Sequence, residues 1–199
     1  MSADATGYQP RLIISARTMA FSVFLMLGLA LAITLIFGTR PLLNVVSAGR
    51  RWPVQLASGI AIGLLVTVPG GLLIARVPLF NAFRRQLIEL VSRADMSGFN
   101  PLWFSLCAGL GEEMLFRAAL QPLLGIVLTS VIFTALHAKT GGFKMMNRMK
   151  ALYALLVFLI SILLGIVFVQ IGLIAAITTH IVIDLIALTN LRTPLRHGT

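Results

Sequence analysis

Long apolar stretches separated by short polar segments dominate the chain. Six of them are close to the ~20 residues that cross a bilayer as a helix, at roughly 18–37, 54–75, 102–120, 122–137, 151–169 and 171–189. This pattern predicts an all-α fold, a polytopic membrane helical bundle of about six transmembrane helices. The first apolar run follows a basic segment, as in a signal peptide. It is long for a signal peptide, and the sequence Ala30-Leu31-Ala32, which resembles a cleavage site, lies inside it, which favours an uncleaved helix.

Residues 79–93 follow a different pattern. Apolar residues recur at helical spacing, while polar and charged residues occupy the other face. The segment is therefore predicted to be an amphipathic helix in the membrane interface, although a solvated connecting helix fits equally well. The predicted organisation is an N-terminal region, 1–101, with two transmembrane helices and this interfacial helix. A core of four transmembrane helices at 102–189 and a basic tail at 190–199 follow.

Composition supports a membrane protein and narrows the possible partners. Hydrophobic residues make up 58% and charged residues 11%, against about 25% charge in soluble domains. These values exclude a soluble enzyme, a disordered chain and a secreted disulfide scaffold, and the single Cys107 cannot form an internal disulfide. The net charge is +10. Because the basic residues lie between apolar runs, the expected partner is the lipid bilayer and not nucleic acid.

The distribution of basic residues predicts the orientation. With an inside N-terminus, twelve basic residues lie on the inner side: Arg11, Arg17, Arg76, Arg84, Arg85, Arg93, Lys139, Lys144, Arg148, Lys150, Arg192 and Arg196. The outer side keeps Arg40, Arg50 and Arg51, of which the last two are the main evidence against the assignment. The positive-inside rule then places both termini in the cytoplasm. We expect an integral protein of a bacterial inner or plasma membrane.

Six ionisable residues lie within the predicted spans, where each costs at least a few kcal/mol. They are Glu112, Glu113, Arg117, His137, His180 and Asp184. A buried polar cluster that only holds helices together is one interpretation, but six such residues on three helices favour a function. Glu113 precedes Arg117 by four residues, so the two can pair. Glu112 is turned about 100° from that pair, which leaves its carboxylate for another partner. His180 and Asp184 are also four residues apart and can share a pocket.

These residues resemble the three motifs of the CPBP family. Glu112, Glu113 and Arg117 match EExxxR, Phe133 and His137 match FxxxH, and His180 and Asp184 match HxxxN or HxxxD. The family includes CAAX prenyl endopeptidases and bacteriocin-processing or immunity proteins, also called Abi or glutamic-type intramembrane proteases. The resemblance covers about residues 102–189. Residues 1–101 carry no motif.

The resemblance implies a role for each residue. Glu112 would be the general base that activates water, with assistance from His137, while Glu113 and Arg117 would position the site. His180 and Asp184 would bind the scissile carbonyl and stabilise the oxyanion. Many members have Asn where this chain has Asp184, and ionised Asp cannot donate a hydrogen bond. Asp184 therefore either orients His180 or stays protonated as a donor.

Several alternatives remain open from the sequence. Glu112, His137 and His180 could form a His₂Glu zinc site, a known catalytic combination, but a metal-free glutamate mechanism suits the residues equally well, so no cofactor is assigned. The leading interpretation is an endopeptidase that cuts a membrane-associated protein or peptide. A non-proteolytic immunity or regulatory protein of the same fold is the second. A small proton or ion transporter is the third, although no half-to-half symmetry is visible.

Overall fold

The computed structural model describes residues 14–38, 42–140 and 147–192 of the chain. It contains eight α-helices in these ranges: α1 Ala16–Phe37, α2 Leu42–Ser47, α3 Trp52–Arg76, α4 Asn81–Val91, α5 Asn100–Glu113, α6 Gln121–Thr140, α7 Asn147–Gln170 and α8 Leu173–Leu191. A 3₁₀ turn, Pro78–Phe80, precedes α4, and a π-helix, Met114–Leu120, joins α5 to α6. The basic residues Arg11, Arg40, Lys144 and Arg196 of the orientation argument lie outside the described ranges, as does most of the tail.

The all-α membrane bundle is confirmed, but the count of six spans is not. Five helices in the described ranges are long and apolar enough to cross a membrane. The predicted third and fourth spans lie in one continuous candidate, Asn100–Ala138. The predicted boundary between them, at residues 120–122, is not where the chain turns, because the helical path continues through Pro122. Proline tolerates a helical φ, so it does not by itself end a helix that compensates for its missing N–H.

The chain instead turns at Gly125, whose φ of 75° and ψ of 171° interrupt α6. Only glycine adopts this backbone conformation readily. Phe116 and Phe133, on either side of the turn, have ring centroids 4.8 Å apart, whereas a straight helix would separate them by about 26 Å. The two arms therefore run antiparallel. This reversal brings the end of α5 next to the last turns of α6.

Glycines on α3 let it pack closely against α8. A Cβ at Gly59 would lie 2.6 Å from Thr178 Cβ, and one at Gly63 would lie 2.7 Å from Val182 Cβ. Small residues spaced by four allow such close contact between membrane helices. The Thr179 hydroxyl also donates a hydrogen bond to the Gly59 carbonyl at 3.2 Å. The packing places the N-terminal region directly behind the central turns of α8.

The start of α8 is held by Gln55, a buried residue of α3. Its side-chain oxygen accepts hydrogen bonds from the backbone N–H groups of Ile174 and Ala175, at 3.0 and 3.4 Å. Its amide nitrogen donates to the carbonyls of Ala48 and Arg50. The first N–H groups of a helix have no partner within the helix. Gln55 supplies partners for two of them and thereby fixes the register of α8.

The predicted amphipathic helix is present as α4, somewhat shorter than expected. Phe83, Leu87 and Val91 are buried along one face, while Arg84 and Arg85 are exposed. This four-residue recurrence is the pattern that identified the helix. Its placement in a membrane interface stays a prediction.

Candidate active site

The six ionisable residues come from three parts of the bundle. Glu112 and Glu113 end α5, and Arg117 lies in the π-helix that follows. The reversal at Gly125 returns His137 to the level of Glu112, and the middle of α8 supplies His180 and Asp184. π-Helices are uncommon and occur frequently at functional sites. The structure brings all six together.

Glu113 is the centre of the buried polar network. Its Oε2 accepts a hydrogen bond from Arg117 Nε at 2.9 Å, as predicted, and both side chains have no exposed surface. Its Oε1 lies 2.8 Å from His180 Nδ1. Because a carboxylate paired with a guanidinium is ionised and only accepts hydrogen bonds, Nδ1 carries a proton. Glu113 therefore orients His180 so that Nε2 faces the other acids.

Arg117 is held by two further residues. Its Nη2 donates to Ser161 Oγ on α7 at 2.9 Å, and its Nη1 lies 3.5 Å from Gln121 Oε1. Gln121 in turn donates to the Gly165 carbonyl at 3.0 Å. The guanidinium carbon lies 5.6 Å from the centre of the Phe133 ring. The network ties the π-helix to α7 and satisfies the buried cation with several partners.

His137 is oriented by its own helix. Its Nδ1 lies 3.0 Å from the Phe133 carbonyl oxygen, which can only accept, so this nitrogen carries a proton. The imidazole stacks on the Phe133 ring, with centroids 4.1 Å apart. These contacts direct Nε2 towards Glu112, whose Oε2 lies 3.6 Å away.

Two imidazoles thus converge on one carboxylate oxygen. Glu112 Oε2 lies 3.6 Å from His137 Nε2 and 3.9 Å from His180 Nε2. It is buried and, among the residues that the structure describes, it has no hydrogen-bond partner. A buried polar atom without a partner requires an explanation, and a water between groups more than 3.5 Å apart is one.

Asp184 borders the same group on the more open side. Its Oδ2 lies 3.5 Å from His180 Nε2, and its side chain is 32% exposed. The sequence left open whether Asp184 orients His180. In the structure His180 Nδ1–H donates its short hydrogen bond to Glu113, and Asp184 faces the opposite nitrogen.

A cavity of about 690 Å³ is lined by four of these residues, Glu112, His137, His180 and Asp184. Its other lining residues are mainly apolar and come from the second half of α3, from α4, the first half of α7 and the last turns of α8. Four polar residues outside the cluster also line the cavity: Thr67 on α3, Arg84 on α4, Tyr153 on α7 and Asn190 near the end of α8. A largely apolar cavity with a few convergent polar groups is the usual form of a binding site.

No metal centre is evident in the described ranges: no group of three or more His, Cys, Asp or Glu side chains there is arranged to hold an ion. The candidate zinc set Glu112, His137 and His180 does converge, but its closest N–O separations are 3.6 and 3.9 Å. In a tetrahedral site with ~2.0–2.1 Å bonds, ligand atoms lie about 3.3–3.4 Å apart. The three side chains are therefore spaced wider than the ligands of a tetrahedral zinc site.

Sequence reasoning missed the residues that support the site from α7. Ser161 and Tyr153 are ordinary polar residues in an apolar helix, and nothing in their local pattern distinguishes them. The sequence also does not reveal that His180 is the second hydrogen-bond partner of Glu113, because the two residues are sixty-seven positions apart. A serine eight residues after a tyrosine on one helix is the only available signal, and it is weak.

Residues 96–186 match a known family. Its model is described as Rce1-like, type II CAAX prenyl endopeptidase. The matched segment contains all three motifs and all six candidate residues, and it confirms the resemblance to the CPBP family. No curated protein and no solved structure gives a significant match to the chain. Together with the apolar helices, the match supports an integral membrane hydrolase of the CAAX-type endopeptidase class.

Proposed function

We propose that the protein is an intramembrane endopeptidase that hydrolyses a peptide bond of a membrane-associated protein or peptide with water activated by Glu112. Two imidazole nitrogens converge on Glu112 Oε2, which has no hydrogen-bond partner among the described residues, and this convergence carries the proposal. General bases act within hydrogen-bond reach of the proton that they accept. A water next to Oε2 meets this condition and has an imidazole beside it on two sides.

The reaction requires one proton acceptor and one group that binds the carbonyl. Water attacks the scissile carbonyl carbon while Glu112 accepts its proton and His137 Nε2 orients it. The tetrahedral intermediate collapses with loss of the amine, which takes the proton back from Glu112. Positioned general bases contribute about 10²–10⁴-fold to such reactions.

His180 supplies positive potential where the oxyanion forms. In its doubly protonated form Nδ1–H stays on Glu113, and Nε2–H is directed towards the cavity beside Asp184. Preorganised donors of this kind act strongly in a site from which water is excluded. Arg117 does not touch the cavity and acts through Glu113, so it is a positioning residue.

The cavity favours a substrate with a lipophilic part. Most of its wall is apolar, and the matching family is described as type II CAAX prenyl endopeptidases. A C-terminal peptide that carries a prenyl group, or a transmembrane peptide, would place its apolar part against α3 and α7. The scissile bond then lies beside Glu112.

We also propose that the cavity faces the cytoplasm. The ends of α3 and α8 and the start of α7, which surround it, carry Arg76, Arg192 and Arg148. The excess of basic residues on one side sets orientation in membranes. Reporter fusions after Ser47 and at Thr199 test this, with an outside signal expected for the first and an inside signal for the second. The reverse signals would refute the orientation.

The activity is tested with purified protein in detergent or nanodiscs. The substrates are internally quenched peptides, one with a farnesylated C-terminal CAAX sequence and one with the same sequence unmodified. We expect cleavage of the lipidated peptide and its loss in Glu112→Gln, which keeps the shape but cannot act as a base. Glu89→Gln, an exposed acid on α4, is the matched control and should cleave normally.

Two outcomes would count against this proposal. Cleavage by Glu112→Gln at the normal rate would exclude Glu112 as the base. A folded protein that cleaves no member of a lipidated and transmembrane peptide library would favour the non-proteolytic alternative. Addition of a zinc chelator to the same assay tests the metal-free mechanism, which predicts unchanged turnover.

A further inference from the structure

Arg84 on α4 is the one arginine or lysine among the described residues that line the active-site cavity. On α4 the cavity is also lined by Leu87, Leu90 and Val91, which recur with Arg84 at the spacing of one helical face. The next residue, Arg85, is also exposed, but it does not line the cavity. Of these two adjacent arginines, Arg84 is therefore the one placed to contact a molecule in the cavity.

Arg84 lies at the end of the cavity that is remote from the catalytic residues. α3 and α8 run in the same direction, because successive glycines of α3 meet successive turns of α8. The cavity wall extends along α8 from His180 to Leu191, and along α3 it reaches Ala75, one residue before that helix ends. Only four residues, 77–80, separate the end of α3 from the start of α4. The first turn of α4, with Arg84, therefore lies near the far end of α3 and not beside His180.

The guanidinium of Arg84 has no acidic partner among the described residues. The acid of its own helix, Glu89, pairs with Arg93 at 3.7 Å. The acids that line the cavity, Glu112 and Asp184, belong to the catalytic group at the other end. A guanidinium presents several N–H donors in a planar fork that fits a carboxylate. The cavity thus has a group suited to bind an anion at one end and a hydrolytic site at the other.

The length of the cavity relates this anion site to the scissile bond. His180 and Asn190, which both line it, are ten residues apart on α8, and ten residues of α-helix span about 15 Å. An extended peptide covers this distance with about four residues, at ~3.3 Å each. Every peptide has one carboxylate whose position does not depend on its side chains, the free C-terminus. A bond near the C-terminus can therefore lie beside Glu112 while the terminal carboxylate reaches Arg84.

We propose that Arg84 is a specificity-determining residue, which binds the free C-terminal carboxylate of the substrate and directs cleavage to a bond about four residues before it. This inference rests on the proposed peptidase function. It adds a polar anchor at the end of a cavity whose wall is otherwise mainly apolar. The lipophilic part of the substrate then contributes affinity, while the distance from Arg84 to Glu112 selects the bond.

The test compares the farnesylated peptide with a free C-terminal carboxylate and the same peptide with a C-terminal amide. We expect the amide to raise KM about 10–100-fold in the wild-type protein, the usual effect of losing a hydrogen bond to a charged group, with a smaller change in kcat. Arg84→Gln should raise KM for the carboxylate peptide by a similar factor and leave the amide peptide unchanged. Arg85→Gln is the matched control and should keep the wild-type preference.

A charge reversal separates recognition from folding. Arg84→Glu should cleave a peptide with a cationic aminoethylamide at its C-terminus better than the carboxylate peptide, whereas a variant that is only misfolded loses activity on both. Equal loss on the carboxylate and amide peptides in Arg84→Gln, as expected for an arginine that binds lipid headgroups, would overturn the inference.

The wild-type protein distinguishes this inference from the proposed function. Cleavage of the carboxylate and amide peptides with equal KM, and dependent on Glu112, would overturn the role of Arg84 alone. A wild-type protein that cleaves neither peptide would overturn the inference together with the proposed function.

Discussion

Replacement of Arg117 by Met should destabilise the folded protein strongly. Arg117 has no exposed surface, and it donates to Glu113 at 2.9 Å and to Ser161 at 2.9 Å. Met fills much of the same volume without charge. The substitution leaves the Glu113 carboxylate buried, with His180 as its remaining hydrogen-bond partner among the described residues. Loss of one partner of a buried ion pair costs about 3–5 kcal/mol.

That loss is a large part of the stability of a typical protein, about 5–15 kcal/mol. We therefore expect a low yield of folded Arg117→Met and a marked fall in its free energy of unfolding, measured by tryptophan fluorescence during denaturation in mixed micelles. Ser161→Ala is the graded comparison. It removes one hydrogen bond to the guanidinium, worth about 1.5–3 kcal/mol, and leaves the ion pair intact.

The double variant Glu113→Gln with Arg117→Met tests the cause. The double variant has no buried carboxylate without its cation, so the free energy of unfolding should recover by several kcal/mol relative to Arg117→Met alone. Turnover should not recover, because a neutral amide no longer stabilises protonated His180. A free energy of unfolding for Arg117→Met within about 0.5 kcal/mol of the wild-type value would refute the reasoning. A double variant no more stable than Arg117→Met would also refute it.

Three further predictions concern other parts of the bundle. Gly125→Ala should lower stability by about 1–3 kcal/mol, because Ala is strained at this φ and ψ. Gly28→Ala, in the open middle of α1, is the control and should not lower it. Equal thermal midpoints for the two variants would contradict the turn at Gly125. Gly63→Val should separate α3 from α8 at Val182 and reduce both stability and kcat, measured by thermal unfolding and peptide cleavage. Asp184→Asn should keep near-normal or improved turnover if position 184 donates a hydrogen bond, while Asp184→Ala should not; equal inactivity of both across several pH values would reject the donor role.

The helical spans and the pair of Glu113 with Arg117 were predictable because they depend on local spacing. A carboxylate four residues before an arginine meets it on any helix, and apolar runs define spans by composition alone. The hydrogen bond from His180 to Glu113 depends on how α8 packs against α5. No local pattern encodes that distance.

The turn at Gly125 shows a different limit of sequence reasoning. Pro122 and Gly125 lie three residues apart in an apolar run, and either could mark the boundary of a helix. Proline is the stronger signal in soluble proteins, but here its ring is accommodated within the helical path. The chain reverses at the glycine, because its backbone conformation is closed to other residues. The turn is seen in the structure, from the backbone angles of Gly125 and the contact of Phe116 with Phe133.

The half of the chain without motifs contributes to the site by packing and by shape. The family match begins at residue 96, and α3 and α4 lie before it. Yet α3 fixes the register of α8 through Gln55, packs behind it at Gly59 and Gly63, and lines the cavity with α4. The six ionisable residues account for the chemistry that we propose, while most of the surface that a substrate's apolar part would contact comes from α3, α4, α7 and the end of α8. Selectivity among substrates should therefore vary with substitutions in α3 and α4 that leave the rate on a short unmodified peptide unchanged.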